Sequence, residues 1–479
     1  MMLGRTQADQ FVGRSAGMFG VPNSLAGLLE LMTPVCVVLL FSRALRPGAK
    51  LWCAWLAAFF VFALVLTGSR GGWLALGLSL LGWPLLAGRE WRKKLGGGVA
   101  VLTVVAAGLW ALYHGSDYAR GRIQPFLTGE FETSRPLIWK AGWKMWQDGP
   151  WLGRGAAAYN VYFDQYRPRG FLNEPEWTHN EYLNTLIDYG VIGFALWLGV
   201  GIALGWAGWA AVRRARRQTG PIGDVFALPK WKLGLFLGLL GYAAHLAVDF
   251  HTKIPALAFL GAVAAALLIR EEATWRRPVG ALPAWLTAGV ISAAVAGLGW
   301  RVSTPLYQAE ALRFEARRSI DRYASMANGD LGEIASRAHR SLARAVRLDP
   351  ANGQAWADLS YATVQSWHAG KGSLGTLGRF AELAADEALA HCAVDAEFWI
   401  RKAVALDVQR GRPEAEECYR RALELAPHSR TAWYHYAYHL RAFPARREEA
   451  LKALDTCLTL DPSYGPANIL RQRLTTTAN

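Results

Sequence analysis

The sequence predicts an all-helical membrane protein with a helical repeat tail, and three observations support this prediction. Long apolar segments recur through the first 300 of its 479 residues, as in chains that cross a bilayer. Only 19% of the residues are charged, against roughly 25% in average soluble domains. After Arg301, alanine and charged residues dominate and apolar positions recur at helical spacing. The predicted fold class is therefore all-α: a polytopic transmembrane helical bundle followed by an α-solenoid.

Eight segments are candidates for membrane spans, each of which needs about 20 mostly apolar residues. They cover residues 23–42, 51–68, 71–88, 96–113, 183–212, 231–249, 254–270 and 280–300. The chain carries a net charge of +15, but its Arg and Lys residues fall in short clusters between these segments. No groove-reading motif accompanies them, so the clusters are typical of topology signals and not of nucleic-acid binding.

Basic clusters predict the orientation of the spans, because cytoplasmic loops carry an excess of Arg and Lys. They follow the first, third, fifth and seventh spans: Arg43, Arg46 and Lys50; Arg89, Arg92, Lys93 and Lys94; Arg213, Arg214, Arg216 and Arg217; Arg270, Arg276 and Arg277. The other connections, including the large loop 114–182, are then extracytoplasmic. Residues 301–479 are expected on the same outer side.

An internal repeat is visible in the last third of the chain. Three segments share a Leu-x-Pro pattern followed by a small Ala: Leu348-Asp349-Pro350, Leu425-Ala426-Pro427 and Leu460-Asp461-Pro462. Trp399 and Trp433 are 34 positions apart, and this period with Ala, an aromatic residue and a closing Pro resembles tetratricopeptide repeats. We predict a transmembrane domain at 1–300, a linker at 301–334 and a repeat domain at 335–479. The repeat domain is expected to hold about three to four repeats and an insertion near 370–378.

Missing motifs argue against several classes of enzyme. The sequence has no Gly-rich nucleotide loop, no DxD-like pair beside a Rossmann pattern and no H-E-x-x-H, so a nucleotide-sugar enzyme or a zinc protease is not indicated. Its five cysteines include no C-x-x-C pair, so neither a cysteine zinc site nor a redox motif is suggested. No cofactor and no metal are expected.

Two arginines at the predicted outer surface are suited to an anionic substrate. Arg70 lies among small residues in 67–73, and a guanidinium matches phosphate oxygens; the alternative is an arginine that snorkels to the interface. Arg135 precedes Pro136 at the start of a predicted helix, a position that favours anions. The same helix carries an aromatic face, expected to pack or to anchor at the interface and not to bind sugar: Trp139, Trp143 and Trp146.

Histidines near the outer surface are candidates for a general base. His179 precedes the fifth span, where it would meet a lipid head group, and an imidazole suits proton transfer at neutral pH. His245, Asp249 and His251 are the other candidates. His245 and Asp249 are four positions apart, which places them on one face of the predicted sixth span. The alternative for this pair is a polar contact that stabilises helix packing.

Together these residues and their spacing resemble the O-antigen ligase and polymerase superfamily over about residues 12–270. The matching motifs are Gly20-Val21-Pro22-Asn23-Ser24-Leu25-Ala26, Ser69-Arg70-Gly71-Gly72, Arg135-x-x-x-Trp139, Pro150-x-x-Gly153-x-Gly155, His179-Asn180-x-x-Leu183 and Gly190-x-x-Gly193. Their order around one large outer loop carries the resemblance.

The resemblance implies a glycosyltransferase with a GT-C-like helical core in the bacterial inner membrane. It would move a glycan from undecaprenyl diphosphate to a lipid, protein or glycan acceptor on the periplasmic face, without nucleotide or metal. Arg70 and Arg135 would hold the diphosphate and stabilise its developing charge, and His179 would accept the proton of the acceptor hydroxyl. The other residues expected to contact substrate are Asn180, Arg154, His245 and Asp249.

Two other functions stay open at this point. A membrane-anchored scaffold would use its repeats to recruit polysaccharide-export or envelope proteins without catalysis. A transporter would place charged residues inside the spans near the bilayer midplane, and few are seen. Members of the superfamily have more spans than the eight predicted here, so we expect Met1 to be an internal start or the chain to be a shortened form.

Overall fold

The computed structural model describes residues 13–42, 45–87, 91–128, 134–218, 230–269, 281–324, 331–368, 373–409 and 413–476. Within these residues every regular element is a helix, as predicted. Contacts between residues divide the chain into two compact units. The first comprises Met1–Tyr159 and Pro175–Arg276, and the second comprises Asn160–Glu174 and Arg277–Asn479.

The first unit is built from the helices that precede residue 277. They are α1 (Pro22–Leu40), α2 (Pro47–Thr67), α3 (Arg70–Ala87), α4 (Trp91–Gly115), α5 (Asp117–Thr128), α6 (Ser134–Gln147), α7 (Ala158–Tyr166), α8 (Glu181–Gln218), α9 (Lys230–His245) and α10 (Pro255–Ile269). Most of α7 is assigned to the second unit, because that unit includes residues 160–174.

Helix α1 packs against α2, α3, α9 and α10. Its approach to α9 is close because Gly234 and Gly238 of α9 face it. A Cβ on Gly238 would lie 2.2 Å from the Leu31 carbonyl oxygen, and one on Gly234 would lie 2.6 Å from the Cα of Val35. Small residues four positions apart let two helix backbones approach each other in a membrane. This packing brings Glu30 of α1 into contact with the end of α9.

Five of the described helical segments are long and apolar enough to cross a membrane: Pro22–Leu40, Pro47–Thr67, Lys94–Gly115, Glu181–Arg214 and Leu286–Asp321. The side chains of Lys94–Gly115 and Leu286–Asp321 are largely exposed, as expected of apolar surfaces that meet lipid. Helix α10 is apolar but has only 15 residues. Each of the eight predicted spans coincides with a helix, and their number as membrane crossings stays a prediction.

The prediction for the sixth span is wrong in one respect, because α9 ends at His245 and not near residue 249. Residues 246–248 form a turn in which Val248 N donates to His245 O at 2.9 Å. The carbonyls of Leu246 and Asp249 accept the backbone N–H of Glu181, at 2.8 and 3.1 Å. Since these carbonyls bond to the start of α8, Asp249 lies beyond α9 and not on one of its faces.

The second unit consists mainly of helices that pair as consecutive hairpins. Its helices are α11 (Ala281–Ala324), α12 (Leu331–Leu348), α13 (Gly353–His368), α14 (Leu374–His391), α15 (Ala396–Asp407), α16 (Pro413–Leu425), α17 (Arg430–Leu440), α18 (Arg447–Leu460) and α19 (Gly465–Thr476). The pairs are α11 with α12, α13 with α14, α15 with α16 and α17 with α18. Their facing sides are lined mostly by buried Ala and Leu, because alanine lets paired helices approach closely.

One hydrogen bond recurs from hairpin to hairpin. The indole Nε1 of Trp356, Trp399 and Trp433 donates to the carbonyl six residues earlier, at 2.9, 2.8 and 2.9 Å. Asn468 makes the same contact through Nδ2 at 3.1 Å. Each bond ties the first turns of a helix to the loop before it, and the assignment of these helices to tetratricopeptide repeats stays a prediction.

The spacing of these tryptophans locates the extra residues within the repeat region. Trp356 and Trp399 are 43 positions apart, against 34 for the next pair, so the longer interval includes the predicted insertion. Residues 369–372, at the start of this insertion, lie outside the described residues.

Several of the basic residues that predict the orientation of the spans also lie outside the described residues: Arg43, Arg89, Arg270, Arg276 and Arg277. The predicted domain boundary at residue 300 falls within α11, and the domain limits stay predictions.

Part of the large loop belongs to the second unit. Residues Asn160–Glu174 are grouped with the repeat helices, and His428 Nδ1 lies 2.7 Å from the carbonyl oxygen of Arg167. Within the loop segment the rings of Phe163 and Phe171 pack with their centroids 5.7 Å apart. The loop segment and the repeats therefore fold as one unit.

Candidate active site

The turn between α2 and α3 presents Arg70. Gly68 caps α2 with a φ of 59°, the left-handed conformation that favours glycine at a helix end. Ser69 comes next, and its Oγ accepts the N–H of Gly72 at 3.4 Å, which is the geometry of a helix N-cap. Arg70 is the first residue of α3 and is half-buried. The helix N-terminus and this guanidinium therefore add positive charge at the same place.

Two further arginines bind this turn, and neither was predicted from the sequence. Arg14 Nε donates to the carbonyl of Thr67 at 2.8 Å. Arg122 donates to the carbonyl of Gly68 through Nε and Nη2, at 3.1 and 2.8 Å. Arg14 Nη2 also donates to Asn23 Oδ1 at 2.8 Å, which links the turn to the start of α1. The turn that presents one arginine is thus bound by two more.

Arg135 adds another positive charge to this region. It lies in the first turn of α6 and is half-buried. The pKa of Arg14 lies below its ordinary value, first because of burial and then because of the positive charges of Arg122 and Arg135, while Asp249 acts in the opposite direction. Guanidinium groups held close together repel one another unless an anion lies between them. The arrangement therefore favours an anionic ligand.

Helix α6 also supports the segment that carries His179. It packs against α8 through a buried face of Ile138, Ala141, Gly142 and Met145. Trp139 Nε1 donates to the carbonyl of Thr178 at 2.9 Å. Since Trp139 is one turn beyond Arg135, this bond positions Arg135 relative to His179. The aromatic residue of the Arg135-x-x-x-Trp139 motif is therefore a polar tether as well as a packing group.

His179 has a backbone conformation that is uncommon for a residue with a side chain, with a φ of 51°. Its neighbours stabilise this conformation, because Thr178 Oγ1 donates to the Asn180 carbonyl at 2.7 Å. Asn180 Oδ1 in turn accepts the N–H of Leu183 at 3.0 Å and caps α8. Backbone strain of this kind is concentrated at functional sites. The capping bond accounts for Asn180 in the motif, and a substrate contact by its amide stays a prediction.

The imidazole of His179 faces the buried carboxylate of Asp249. Nδ1 lies 3.7 Å from Asp249 Oδ1, and the two side chains are 34% and 3% exposed. Phe250 packs edge-on against the imidazole with ring centroids 4.9 Å apart. Because Nδ1 is turned toward a carboxylate, Nε2 is the nitrogen left to accept a proton. The structure thus places a partly exposed imidazole beside a buried carboxylate.

His245 lies on the other side of Asp249. Its Nε2 is 4.0 Å from Asp249 Oδ2. A Cβ on Gly71 would lie only 2.6 Å from the same nitrogen, so glycine leaves the room that the imidazole occupies. Because Gly71 directly follows Arg70, the start of α3 and the residues His245, Asp249 and His179 form one contiguous cluster.

The interior of this cluster consists of three buried side chains on three different elements. Glu30 of α1, His245 at the end of α9 and His251 in the 3-10 turn His251–Lys253 are 0, 2 and 1% exposed. Their ligand atoms all lie within 4.8 Å of one another, a spacing that a metal ion could bridge. Burial lowers the pKa of His251 from its ordinary value.

The large loop docks against a kink in α8. Gly190 interrupts α8 with φ 63° and ψ −171°, a conformation that is essentially restricted to glycine. A Cβ there would lie 2.2 Å from the Trp151 carbonyl oxygen, and one on Gly153 would lie 2.5 Å from the Asp188 carbonyl oxygen. Backbone bonds of 2.8 to 2.9 Å join Arg154 N to Ile187 O, Gly155 N to Asp188 O, and Val191 N to Pro150 O. The glycine motifs on both segments are therefore explained by close packing.

Ion pairs stabilise the docked loop and its contact region on α8. Arg154 lies in the docked loop and pairs with Asp148 at 3.7 Å. Lys253 pairs with the buried Asp188 at 3.2 Å and with Glu181 at 3.7 Å. These contacts connect α8 with the turn that follows α9. A substrate contact by Arg154 stays a prediction.

The structure brings three of the sequence-predicted site residues into one cluster. His179, Asp249 and His245 follow one another in space, and Gly71 places the start of α3 against His245. Arg135 lies within electrostatic range of both Arg14 and His245. The convergence of Arg70 and Arg135 on His179 stays a prediction.

Sequence reasoning missed Glu30, Arg14 and Arg122. Glu30 had a readable signal, because an ionisable residue inside an apolar span indicates function and Glu30 is the sole charged residue of α1. Arg14 and Arg122 had none, because each lies in a mixed polar stretch where arginine is ordinary. Their proximity to Arg70 depends on tertiary contacts with the α2–α3 turn.

These helices and this cluster define a multi-pass helical membrane protein with a polar site among α1, α3, α8 and α9. Residues 55–198 match the family model described as O-antigen ligase. No curated protein matches the chain. The matched residues include Arg70, Arg135 and His179, but not His245 or Asp249. The match confirms the resemblance at the level of the superfamily and supports a function of the O-antigen ligase or polymerase type in general.

Proposed function

We propose that this chain is a membrane glycosyltransferase that transfers a glycan from undecaprenyl diphosphate to a lipid, protein or glycan acceptor. The observation that carries the proposal is the partly exposed His179 beside the buried Asp249. Arg70 and Arg135 lie in the first turns of α3 and α6, and each of these helices contacts the same cluster, α3 through Gly71 and α6 through Trp139. The match of residues 55–198 to an O-antigen ligase family model supports the same class of reaction.

Arginines provide the site for the diphosphate in this proposal. Arg70 and Arg135 bind its oxygens, because a planar guanidinium can donate two parallel hydrogen bonds to a phosphate. Arg14 and Arg122 hold the turn that presents Arg70 and raise the local positive potential. These cations stabilise the charge that develops on the leaving group, so no metal ion is needed at the reacting atoms.

His179 acts as the general base. As the acceptor oxygen attacks the anomeric carbon, its proton passes to Nε2 of His179. The bond between that carbon and the diphosphate oxygen breaks, its electron pair leaves with undecaprenyl diphosphate, and the configuration at carbon is inverted. Asp249, facing Nδ1, keeps the imidazole in the required tautomer and stabilises the imidazolium that forms.

We place the protein in the bacterial inner membrane, with the large loop and the repeats in the periplasm. The basic clusters between spans support this orientation. The fold supports one part of it, because residues 160–174 of the loop belong to the same compact unit as the repeat helices. Loop residues and repeat residues that contact each other directly, as Arg167 and His428 do, lie on one side of a bilayer.

A second candidate function is a membrane-anchored scaffold whose tetratricopeptide-like repeats bind a protein partner. A cavity of about 730 Å³ in the second unit favours it. Aromatic side chains and three histidines line much of this cavity. Arg401 and His439, 8 and 4% exposed, are among the lining residues, and Arg401 Nε and His439 Nε2 lack hydrogen-bond partners in the described part of the chain. A ligand that supplies those bonds would bind there.

The decisive experiment measures glycan transfer and partner binding on the same variants. With the purified full-length chain and a lipid-linked glycan donor, we expect His179→Ala and Arg135→Ala to lose at least about 100-fold in transfer rate. His114→Ala is the matched control, because His114 is exposed at the end of α4, outside the cluster. Retention of transfer by a folded His179→Ala variant would exclude the base role.

The same variants separate the enzyme from the scaffold. If the chain is an enzyme, Arg135→Ala removes product while proteins that co-purify with the repeats are retained. If it is a scaffold, Arg135→Ala leaves its cellular function intact, whereas Tyr438→Ala, at the edge of the cavity, removes partner binding.

A further inference from the structure

The cluster behind Asp249 contains a group of side chains that the proposed transfer reaction does not use. Glu30, His245 and His251 come from α1, the end of α9 and the following 3-10 turn, and each is at most 2% exposed. Burying an ionisable group without a compensating partner is costly. Three such groups in contact therefore need a physical explanation.

The three side chains converge on one point. His245 Nδ1 lies 2.8 Å from Glu30 Oε2 and 2.9 Å from His251 Nε2. His251 Nε2 lies 3.8 Å from the other oxygen, Glu30 Oε1. Tetrahedral ligands placed about 2.1 Å from a zinc ion would lie roughly 3.4 Å apart. The observed separations bracket this value.

Hydrogen bonding alone does not satisfy this arrangement. An imidazole nitrogen carries either one hydrogen or one lone pair, so His245 Nδ1 cannot make two linear hydrogen bonds at once. If it donates to Glu30 it has no lone pair for His251, and if it accepts from His251 it has no hydrogen for Glu30. Glu30 Oε1 is buried and has no hydrogen-bond partner among the described residues. A cation at the centre would satisfy all three groups.

The surrounding structure leaves room for both imidazoles in this orientation. A Cβ on Gly27 would lie 2.9 Å from His251 Nε2, and one on Gly71 would lie 2.6 Å from His245 Nε2. Asp249 Oδ2, which also lacks a hydrogen-bond partner in the described chain, lies 4.0 Å from that same His245 Nε2. A histidine that binds a metal through one nitrogen commonly presents its other N–H to a carboxylate. Asp249 lies on that side of His245, at a separation longer than a hydrogen bond.

We propose that Glu30, His245 and His251 bind one divalent transition-metal ion, with Zn²⁺ as the expected ion. Two imidazoles and one carboxylate are ligands that zinc prefers, whereas Mg²⁺ and Ca²⁺ favour oxygen ligands. The ion would tie α1 to the end of α9 and to the 3-10 turn. It would thereby fix Asp249, which lies between two of its ligands in the sequence, and through Asp249 the orientation of His179. The site holds structure and does not touch the glycan.

The test measures metal binding on the full-length protein in detergent. We expect the wild-type chain to retain about one equivalent of Zn²⁺ after unbound metal is removed, by inductively coupled plasma mass spectrometry. Glu30→Gln and His251→Gln remove a ligand and should lower Zn²⁺ affinity at least tenfold. His179→Gln is the matched control, because this histidine lies near the cluster but is not one of the three ligands, and it should retain the metal.

The wild-type protein alone can overturn the proposal, whether or not the variants fold. The proposal fails if less than a tenth of an equivalent of divalent metal is bound both as purified and after Zn²⁺ is added to chelator-treated protein. It also fails if folded Glu30→Gln and His251→Gln bind Zn²⁺ as tightly as wild type does. Replacement by Co²⁺ gives a second readout, because nitrogen and oxygen ligation in a closed site produces visible absorption bands that His251→Gln should lose. None of these measurements depends on glycan transfer.

Discussion

His179 Nδ1 lies 3.7 Å from the carboxylate of Asp249, although 70 positions separate the two residues in the sequence. The contact depends on two departures from regular helix: the left-handed backbone of His179 and the turn that follows α9. One backbone group joins them, because the N–H of Glu181 donates to the carbonyls of Leu246 and Asp249. The proposed base and the carboxylate that orients it are thus placed by the same hydrogen bonds.

We expect Asp249→Asn to lower kcat for glycan transfer by about 10²–10⁴-fold, with a smaller change in KM for the lipid-linked donor. The amide preserves the shape of the side chain but does not stabilise an imidazolium on His179. Steady-state transfer assays with the purified protein measure this effect. Asp148→Asn is the control, because Asp148 is exposed and pairs with Arg154 in the loop. Equal kcat values for wild type and Asp249→Asn would contradict the orienting role.

Arg122→Lys is expected to raise KM for the donor by about tenfold with little loss of kcat. Arg122 binds the carbonyl of Gly68 with two nitrogens, and one ammonium group cannot reproduce that fork. The turn that presents Arg70 would then be held less firmly. Arg120→Lys, two positions away on α5, is the matched control, since Arg120 pairs with the exposed Asp117 at 3.2 Å. If both variants change KM equally, the effect belongs to α5 in general and not to the turn.

Gly190→Ala is expected to lower the thermal stability of the protein and its transfer activity. The left-handed, extended backbone at Gly190 costs about 1–3 kcal/mol for a residue with a side chain. The added Cβ would also meet the Trp151 carbonyl oxygen at 2.2 Å. Thermal unfolding followed by fluorescence-detected size-exclusion chromatography measures the loss.

Gly199→Ala on the same helix is the control for this prediction. Gly199 is helical, and an added Cβ there would have open space around it, so alanine should stabilise the helix by about 0.5–1 kcal/mol. A Gly190→Ala protein as stable as wild type would show that the kink is not needed for the docked loop.

Asp395 predicts a pH dependence in the repeat unit. Burial and the negative charge of Glu397 raise the pKa of Asp395 to about 7, above the value of about 3.9 expected in an unfolded chain. The folded state then holds an extra proton between about pH 4 and pH 7. Unfolding releases that proton, so stability falls as the pH rises through this window.

We expect Asp395→Asn to remove this dependence, because an amide oxygen can still accept the N–H of Glu397, as Asp395 does at 2.8 Å. The measurement is hydrogen exchange of the α15 amides in the full-length protein at pH 5 and pH 7.5, corrected for intrinsic rates. Each pKa difference of one between folded and unfolded states corresponds to about tenfold in the opening equilibrium. Asp455→Asn, at an exposed residue paired with Arg471, should keep the wild-type pH dependence. Loss of the dependence in both variants would mean that Asp395 is not its source.

Several parts of the fold follow from local patterns and were predictable for that reason. The length of an apolar segment and the 3.6-residue period of a helix are properties of consecutive residues. The positions of Trp399 and Trp433 likewise reveal the repeat, because the bond from each indole to the carbonyl six residues earlier is itself local. The family match over residues 55–198 covers the arginines and the histidine that the motifs indicated.

The cluster around Asp249 could not be predicted in the same way. The pair His245 and Asp249 was assigned to one helix face from its spacing. This was wrong because α9 ends at His245, and the carbonyls of Leu246 and Asp249 that follow it accept the N–H of Glu181 at the start of α8. Glu30 meets His245 across 215 positions of sequence. Arg14 and Arg122 reach the α2–α3 turn from segments with no distinguishing pattern.

By itself the sequence determined that the chain is helical, that much of it is apolar enough for a membrane, and which arginines and histidine resemble a known superfamily. Only the tertiary structure decided which side chains lie next to His179 and which arginines bind the turn before Arg70. The physical reason is that helix formation and apolarity depend on near neighbours in the chain, whereas the field and orientation at a site depend on groups that packing brings together from distant segments.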